Sequence, residues 1–194
     1  IMSNGVFIAG KLLNKAGSQI DAEKFYENYD KDPSYLKVEN KLMPYVSRGA
    51  FKLQKASEVF DLNFTDQVVL DIGASTGGFT DFVLQNKAKK VYAIDVGKGQ
   101  LDFKLRNDNR VINFEETNFK HIESSSQRSE KSEAIDLITI DVSFISILTI
   151  LKKIKESSTL ILGPYILGIT DDTQIICLIK PQFEAGKEIM DKCK

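Results

Sequence analysis

The sequence predicts an α/β fold, a doubly wound and mostly parallel sheet, and three observations carry that expectation. Apolar runs of strand length alternate with helical stretches through residues 68–179, the pattern of successive βαβ crossovers. One run, Val68 to Ile72, passes directly into the small-residue loop Gly73-Ala74-Ser75-Thr76-Gly77-Gly78, which opens a helix. Two further runs end in acids, Asp95 and Asp141, at the carboxyl edge where ligands bind in open α/β sheets.

The elements follow in order. Gly5-Val6-Phe7-Ile8-Ala9-Gly10-Lys11, then Leu12, Leu13 and Lys15-Ala16-Gly17, read as a strand, a turn and a second extended piece, too small to fold alone. Residues 21–43, polar, dotted with tyrosines and broken at Asp32-Pro33, read as the edge of that module running into a linker. A boundary near Met43-Pro44 gives two parts, 1–44 and 45–194. Ser47 is placed to cap a helix whose Leu53, Ala56, Val59 and Phe60 recur near helical period and which ends before Asn63. Strands are then expected over 68–72, 91–96, 111–115, 135–142 and 174–179, with helices over 80–86, 99–106 and 145–156. The polar tract Ser124 to Glu133 reads as a solvated loop, and Leu160 to Ile169 as a short apolar helix or loop. There is no internal repeat. After Phe183 the remaining eleven residues hold no strand-like run, so the tail reads as cut rather than finished.

Composition narrows the function. At 42% hydrophobic and 27% charged residues the chain is expected to be soluble and globular. Its 26 basic and 27 acidic residues nearly cancel, so any polyanion must be held locally. Two cysteines, Cys177 and Cys193, with the single His121, build neither a disulfide framework nor a zinc site, and the expected setting is the reducing cytoplasm. The longest apolar run is too short to span a bilayer and contains Gly163, Pro164 and Gly168, and no signal peptide is visible. One histidine without a nucleophile at motif spacing argues against a serine or cysteine hydrolase. The chemistry must therefore rest on Lys, Asp, Glu or a cofactor.

Small residues in the loop 73–78 let the backbone approach a ligand at a helix N-terminus. Dinucleotide binding wants glycine at the third loop position, where Ser75 stands, which counts against a nicotinamide cofactor. Asp95, eighteen residues past Gly77, is placed to hydrogen-bond both hydroxyls of a ribose, the alternative being a loop cap. A nucleoside cofactor without a pyrophosphate fits, S-adenosyl-L-methionine best. Asp141 at the end of so apolar a strand is costly unless paired or functional, and the fifth strand similarly ends in Lys180-Pro181.

Five ordered motifs resemble one family: Tyr45-Val46-Ser47-Arg48-Gly49-Ala50-Phe51-Lys52-Leu53, the loop Asp71 to Thr80, Ala93-Ile94-Asp95-Val96-Gly97 with Gly99-Gln100-Leu101, Asp141-Val142-Ser143-Phe144-Ile145-Ser146, and Lys180-Pro181-Gln182-Phe183-Glu184. Together, from about Gly5 to Lys187, they are similar to the TlyA family of FtsJ-like ribosomal RNA ribose 2′-O-methyltransferases, whose members often carry the name haemolysin. The resemblance implies a Rossmann-like class I methyltransferase domain preceded by part of an RNA-binding module of the ribosomal protein S-four type. It implies a tetrad Lys, Asp, Lys, Glu, whose first three members fall on Lys52, Asp141 and Lys180. The fourth would lie beyond Lys194, Glu184 and Glu188 being too early. It further implies cofactor contacts from the backbone of Gly73, Ser75, Gly77 and Gly78, from Phe79 beside the donor and from Asp95 at the ribose. Asn118 is expected at the adenine edge, or equally as a turn residue, and His121 as exposed.

Transfer to a ribose hydroxyl needs alignment and removal of one proton. Lys180 is expected as the base, Asp141 as the group that orients it and faces the donor, and Lys52 as the neighbouring cation, with no metal required. Each lysine alone is an ordinary surface charge and gains weight only from its place beside the others. Local basic excesses at residues 37–55 and 87–110 would steer ribosomal RNA if they border one cleft, though charged stretches are as often a solvated face. The other readings are a haemolysin acting on membranes, a non-catalytic RNA-binding or ribosome-assembly protein and, last, a nicotinamide dehydrogenase.

Overall fold

The computed structural model describes residues 5–13, 19–39 and 43–185; the expectations placed on Lys15-Ala16-Gly17, Lys41, Lys187, Glu188 and Cys193 fall outside them. The chain divides into two compact units, Ile1–Pro44 and Tyr45–Lys194.

In the first unit, strands β1 (Gly5–Ile8) and β2 (Lys11–Leu13) form an antiparallel hairpin. Its turn residues Ala9 and Gly10 both have positive φ, 51° and 75°, the twist that two-residue hairpins favour. The stretch expected to run into a linker is instead helix α1 (Ala22–Lys31). The Asp21 side chain accepts from Lys24 N at 3.2 Å to cap it, and Glu27 pairs with Lys31 at 2.8 Å. The tyrosines are not scattered: Phe25 meets the rings of Tyr26, Tyr29 and Tyr35. Asp32-Pro33 does break the helix, and Asp32 then caps a 3-10 turn, Pro33–Tyr35, that leads into β3 (Leu36–Glu39), antiparallel to β1.

The second unit runs α2 (Ala50–Phe60), β4 (Val68–Ile72), α3 (Gly78–Gln85), β5 (Lys90–Ile94), α4 (Phe103–Arg106), β6 (Val111–Phe114), β7 (Glu123–Ser125), β8 (Glu133–Ala134), β9 (Leu137–Ile140), α5 (Ile147–Lys155), β10 (Thr159–Leu162), β11 (Tyr165–Gly168), β12 (Gln174–Cys177) and α6 (Pro181–Glu184). A five-stranded sheet of order β12-β9-β4-β5-β6 is parallel throughout. The chain builds outward from β4 to β6 and returns to β9 on the other side of β4, so the strand order reverses between β4 and β9.

Strand alternation sends β4 residues to opposite faces. Leu70 and Ile72 join Ile138, Ile140 and the α5 residues Ile147, Ile150 and Ile154. Val69 joins Ala93 and Leu137 with Leu53 of α2, Phe82 and Val83 of α3 and Leu105 of α4. Each fully buried Leu or Ile contributes about 1.5–3 kcal/mol, and this double covering is why the central strands read as continuous apolar runs.

Four further expectations need correction. Ser47 does not cap α2, which begins after Gly49 without a side-chain cap; its Oγ accepts from Gly49 N at 3.3 Å, in the preceding turn. The helix expected from Gly99 is reduced to α4, because Asp102 caps there by accepting from Lys104 N. The Leu160 to Ile169 run is a hairpin, β10 with β11, turning at Gly163 with φ 57°. The tract Ser124 to Glu133 contributes strands at both ends, β7 pairing with β10 and β8 with β11. Edge strands need only backbone pairing, so their polar composition concealed them.

Candidate active site

Strand register assembles the site. Ile72 of β4 pairs with Ile94 of β5 and with Ile140 of β9, so the next residues, Gly73, Asp95 and Asp141, emerge side by side at the reversal of strand order, where open α/β sheets bind ligands. Gly73 has φ 86°, and a Cβ there would stand 2.8 Å from the Asp141 carbonyl oxygen; only glycine fits. Half-buried Asp95 ties two loops together, its Oδ2 accepting from Ser75 N at 2.8 Å and its Oδ1 from Gly97 N at 2.7 Å. A cavity of about 610 Å3 lies there, lined by Gly73, Ser75, Asp95, Asn118 and Asp141 among others. Asn118 is both cavity wall and turn residue, its Oδ1 accepting from Lys120 N at 3.0 Å to cap the 3-10 turn Phe119–His121. His121 is exposed.

A second cavity of about 270 Å3 holds Lys52, Gly78, Phe79 and Lys180, and shares Gly73, Ser75, Asp141 and Ser143 with the first. At the junction Asp141 is gripped from two sides. Lys52, from the first turn of α2, donates to Oδ2 at 2.7 Å. Lys180, just past β12, forms an ion pair with Oδ1 at 2.7 Å and directs its aligned hydrogen bond to Ser143 Oγ at 2.9 Å. Enclosed Oδ1 thus has a compensating charge but no aligned donor. Partial burial pushes the Asp141 carboxyl up, but contacts with Lys180 and Lys52 outweigh it and hold the group below the usual carboxylate range.

Gly77 borders neither cavity. Its φ of 92° and the Leu105 Cδ1 standing 2.2 Å from where a Cβ would be show that it shapes the turn. Gly78 lies under α2, where a Cβ would stand 2.8 Å from Ala50 N.

Three residues escaped sequence reasoning. Ser143 holds Lys180, and only its nearness to Asp141 could have signalled it. Glu184 Oε2 accepts from Ser146 Oγ at 2.6 Å and Oε1 from Ile147 N at 2.7 Å. Together with the Phe144–Phe183 ring contact at 5.3 Å, this fastens the segment after Lys180 to the loop after Asp141. Such remote capping leaves no sequence trace. Asp71 is fully buried in β4 and accepts from Thr80 Oγ1 at 2.7 Å and Thr139 Oγ1 at 2.8 Å. A carboxylate inside an apolar strand was its visible signal.

The fold and cleft are those of an open parallel α/β domain with its polar groups gathered where the strand order turns. The family model described as FtsJ-like methyltransferase matches residues 45–193, and the chain belongs to that family. A Bacillus subtilis protein bearing an rRNA-methyltransferase name is 40% identical over 192 residues, 99% of this chain and 60% of its own length. The 23S rRNA (cytidine-2'-O)-methyltransferase TlyA of Campylobacter jejuni is 35% identical over 199 residues, 97% of this chain and 70% of its own. A solved structure from Streptococcus thermophilus carrying the hemolysin name is 40% identical with a TM-score of 0.66, covering 96% of this chain and 60% of that one. The chain thus spans three-fifths to seven-tenths of these relatives. Among the described residues no helix is long and apolar enough to cross a membrane.

Proposed function

We propose that the chain transfers a methyl group from S-adenosylmethionine to a ribose 2′-hydroxyl of ribosomal RNA. The observation that carries this reading is the pair of lysine ammoniums closed on Asp141 at the junction of two cavities. The larger cavity suits the cofactor. Asp95 commits one contact per oxygen to loop amides, leaving lone pairs for two ribose hydroxyls, and Asp141 Oδ1 is an acceptor the protein leaves without an aligned donor. Gly73 keeps the backbone clear of a side chain there. When bound, the sulfonium supplies the electrophilic methyl group.

The smaller cavity suits the acceptor, and the chain's own groups do the remaining work. Lys180, once its ammonium has released one proton to solvent, takes the hydroxyl proton at Nζ as the free amine. Its side chain is 18% exposed against 46% for Lys52, so it is the more enclosed of the two amines. Asp141 and Ser143 fix the position of Nζ, and Lys52 holds the other oxygen of the same carboxylate. Phe79, Gly78 and Ser75 bound the space in which hydroxyl and methyl are aligned.

The names of the relatives support ribosomal RNA as the acceptor, and a ribosomal substrate implies a cytoplasmic protein. We read the Ile1–Pro44 unit as belonging to an RNA-binding module, which the resemblance of the sequence implies. The test is transfer of labelled methyl from cofactor to ribosomal subunits, with digestion to locate the modified ribose. Lys180→Ala is expected to lower the single-turnover rate by at least about a hundredfold while leaving cofactor affinity nearly intact. A near-normal rate in that variant, or label on the base instead of the ribose, would overturn the reading.

A further inference from the structure

Four of the seven basic residues over 87–110 are engaged in ion pairs. Lys90 pairs with Glu133, Lys98 with Glu116, Lys104 with Asp81 and Arg110 with Asp108. Those pairs reduce the excess over that stretch, and a second concentration of positive charge lies elsewhere.

A third cavity, of about 310 Å3, opens between the 3-10 turn after Asn118, β7 and α5. Lys120, Lys152, Lys153 and Glu156 line it, with the hydroxyls of Ser124, Thr149 and Ser157 between them. No apolar side chain contributes to this wall, so an apolar ligand or a hydrophobic peptide has nothing to bury there. The charges sum to two positive in a protein of net charge −1. They are weakly neutralised from within. Lys152 is 4.0 Å from Glu156, and both side chains are well exposed. Lys153 donates to the carbonyl oxygens of Lys120 and Ile122; carbonyls satisfy its N–H groups but leave its charge. Those same contacts pin the 3-10 turn that carries Lys120.

Ammonium groups interleaved with hydroxyl donors are the wall that a tetrahedral oxyanion needs. Lys120 also lines the 610 Å3 cavity, so the third cavity borders the cleft through one residue. The 610 Å3 cavity, read as the cofactor's, meets the acceptor cavity at Gly73, Ser75, Asp141 and Ser143. A polyanionic strand lying along the rim of the cleft from the acceptor site therefore has a use for this continuity, whereas a free anion has none. We infer that the third cavity holds a backbone phosphate of the RNA strand whose ribose enters the acceptor site. The inference rests on the proposed function and adds to it a second anchoring point, on the face of α5.

The test is the salt dependence of binding to a labelled, mixed-sequence single-stranded RNA of about 20 nucleotides, each phosphate contact contributing about 0.7 to the slope. Lys152→Ala is expected to weaken binding about three- to tenfold near 0.1 M salt and to lower the slope by nearly one contact, with cofactor affinity unchanged. Lys155→Ala, on the same helix but outside the cavity wall, is the matched charge control and should leave the slope in place. Binding by the parent chain that Lys152→Ala leaves unaltered, or that Lys155→Ala weakens equally, overturns this inference alone. Failure of the parent chain to bind RNA overturns it together with the proposed function. Inorganic phosphate that binds the parent but not Lys152→Ala, with RNA slopes equal, would assign the cavity to a free anion and overturn it too.

Discussion

Asp71 shows how one residue ties the fold to the conditions under which it is stable. Burial pushes its carboxyl up to about 6, against hydrogen bonds from Thr80 and Thr139 that pull it down. The unfolded carboxyl titrates near 4, so the folded chain holds the proton more tightly. The contribution of Asp71 to stability is therefore whole below about pH 4 and is lost as pH rises through 6, a change of about 3 kcal/mol. Asp71→Asn retains partners for both hydroxyls without the charge. It is expected to raise unfolding free energy by about 1–3 kcal/mol at pH 8 and to change little at pH 4, as urea titrations at the two pH values would show; equal gains at both would acquit the charge. At this scale the sequence was informative where a polar group ends an apolar run, as at Asp95 and Asp141, and it carried a similar signal, unread, at Asp71. It was silent on Ser143 and Glu184, whose partners come from elsewhere in the fold.

At the scale of elements, the helix pair α2 and α3 decides where Lys52 stands. Gly78 opens α3 directly beneath the start of α2, and a methyl group there would meet the backbone nitrogen of Ala50 at 2.8 Å. Backbone does not rotate aside as a side-chain tip would, so Gly78→Ala must part the two helices. The expected cost is about 1–3 kcal/mol of stability, and methyl transfer should fall further than cofactor affinity, because Lys52 moves with α2 while Asp95 does not. Calorimetric melting and cofactor titration of the variant check this; an undisturbed rate would mean that the helices part without displacing Lys52. The central strands were legible because both their faces are buried, which leaves a run such as Val68 to Ile72 no other reading. The hairpin over residues 159–168 was not, since an apolar run that short suits helix, loop or strand alike. Its partners, Glu123–Ser125 and Glu133–Ala134, join by backbone pairing that polar side chains do not announce. Helix α1 was hidden because its apolar face is made of aromatic rings that a linear reading took for decoration.

The whole molecule carries almost no net charge, so its dealings with a polyanion depend on where its cations are left unpaired. The pairs at Lys90, Lys98, Lys104 and Arg110 engage four of the seven basic residues in one of the two stretches that composition singled out, something that only the folded arrangement reveals. The same scale governs the cleft. One carboxylate, Asp141, borders both main cavities and holds a lysine on each oxygen. Whatever displaces it on filling the first cavity displaces Lys52 and Lys180 in the second, so the two occupants are thermodynamically linked. Linkage is reciprocal: the factor by which the demethylated cofactor changes RNA affinity must equal the factor by which RNA changes affinity for that cofactor, and about fivefold or more is expected. Calorimetry in both orders measures it, and a factor of one would make the cavities independent. A shared carboxylate of this kind makes each occupant a reporter on the other, so that neither cavity is read by its ligand in isolation.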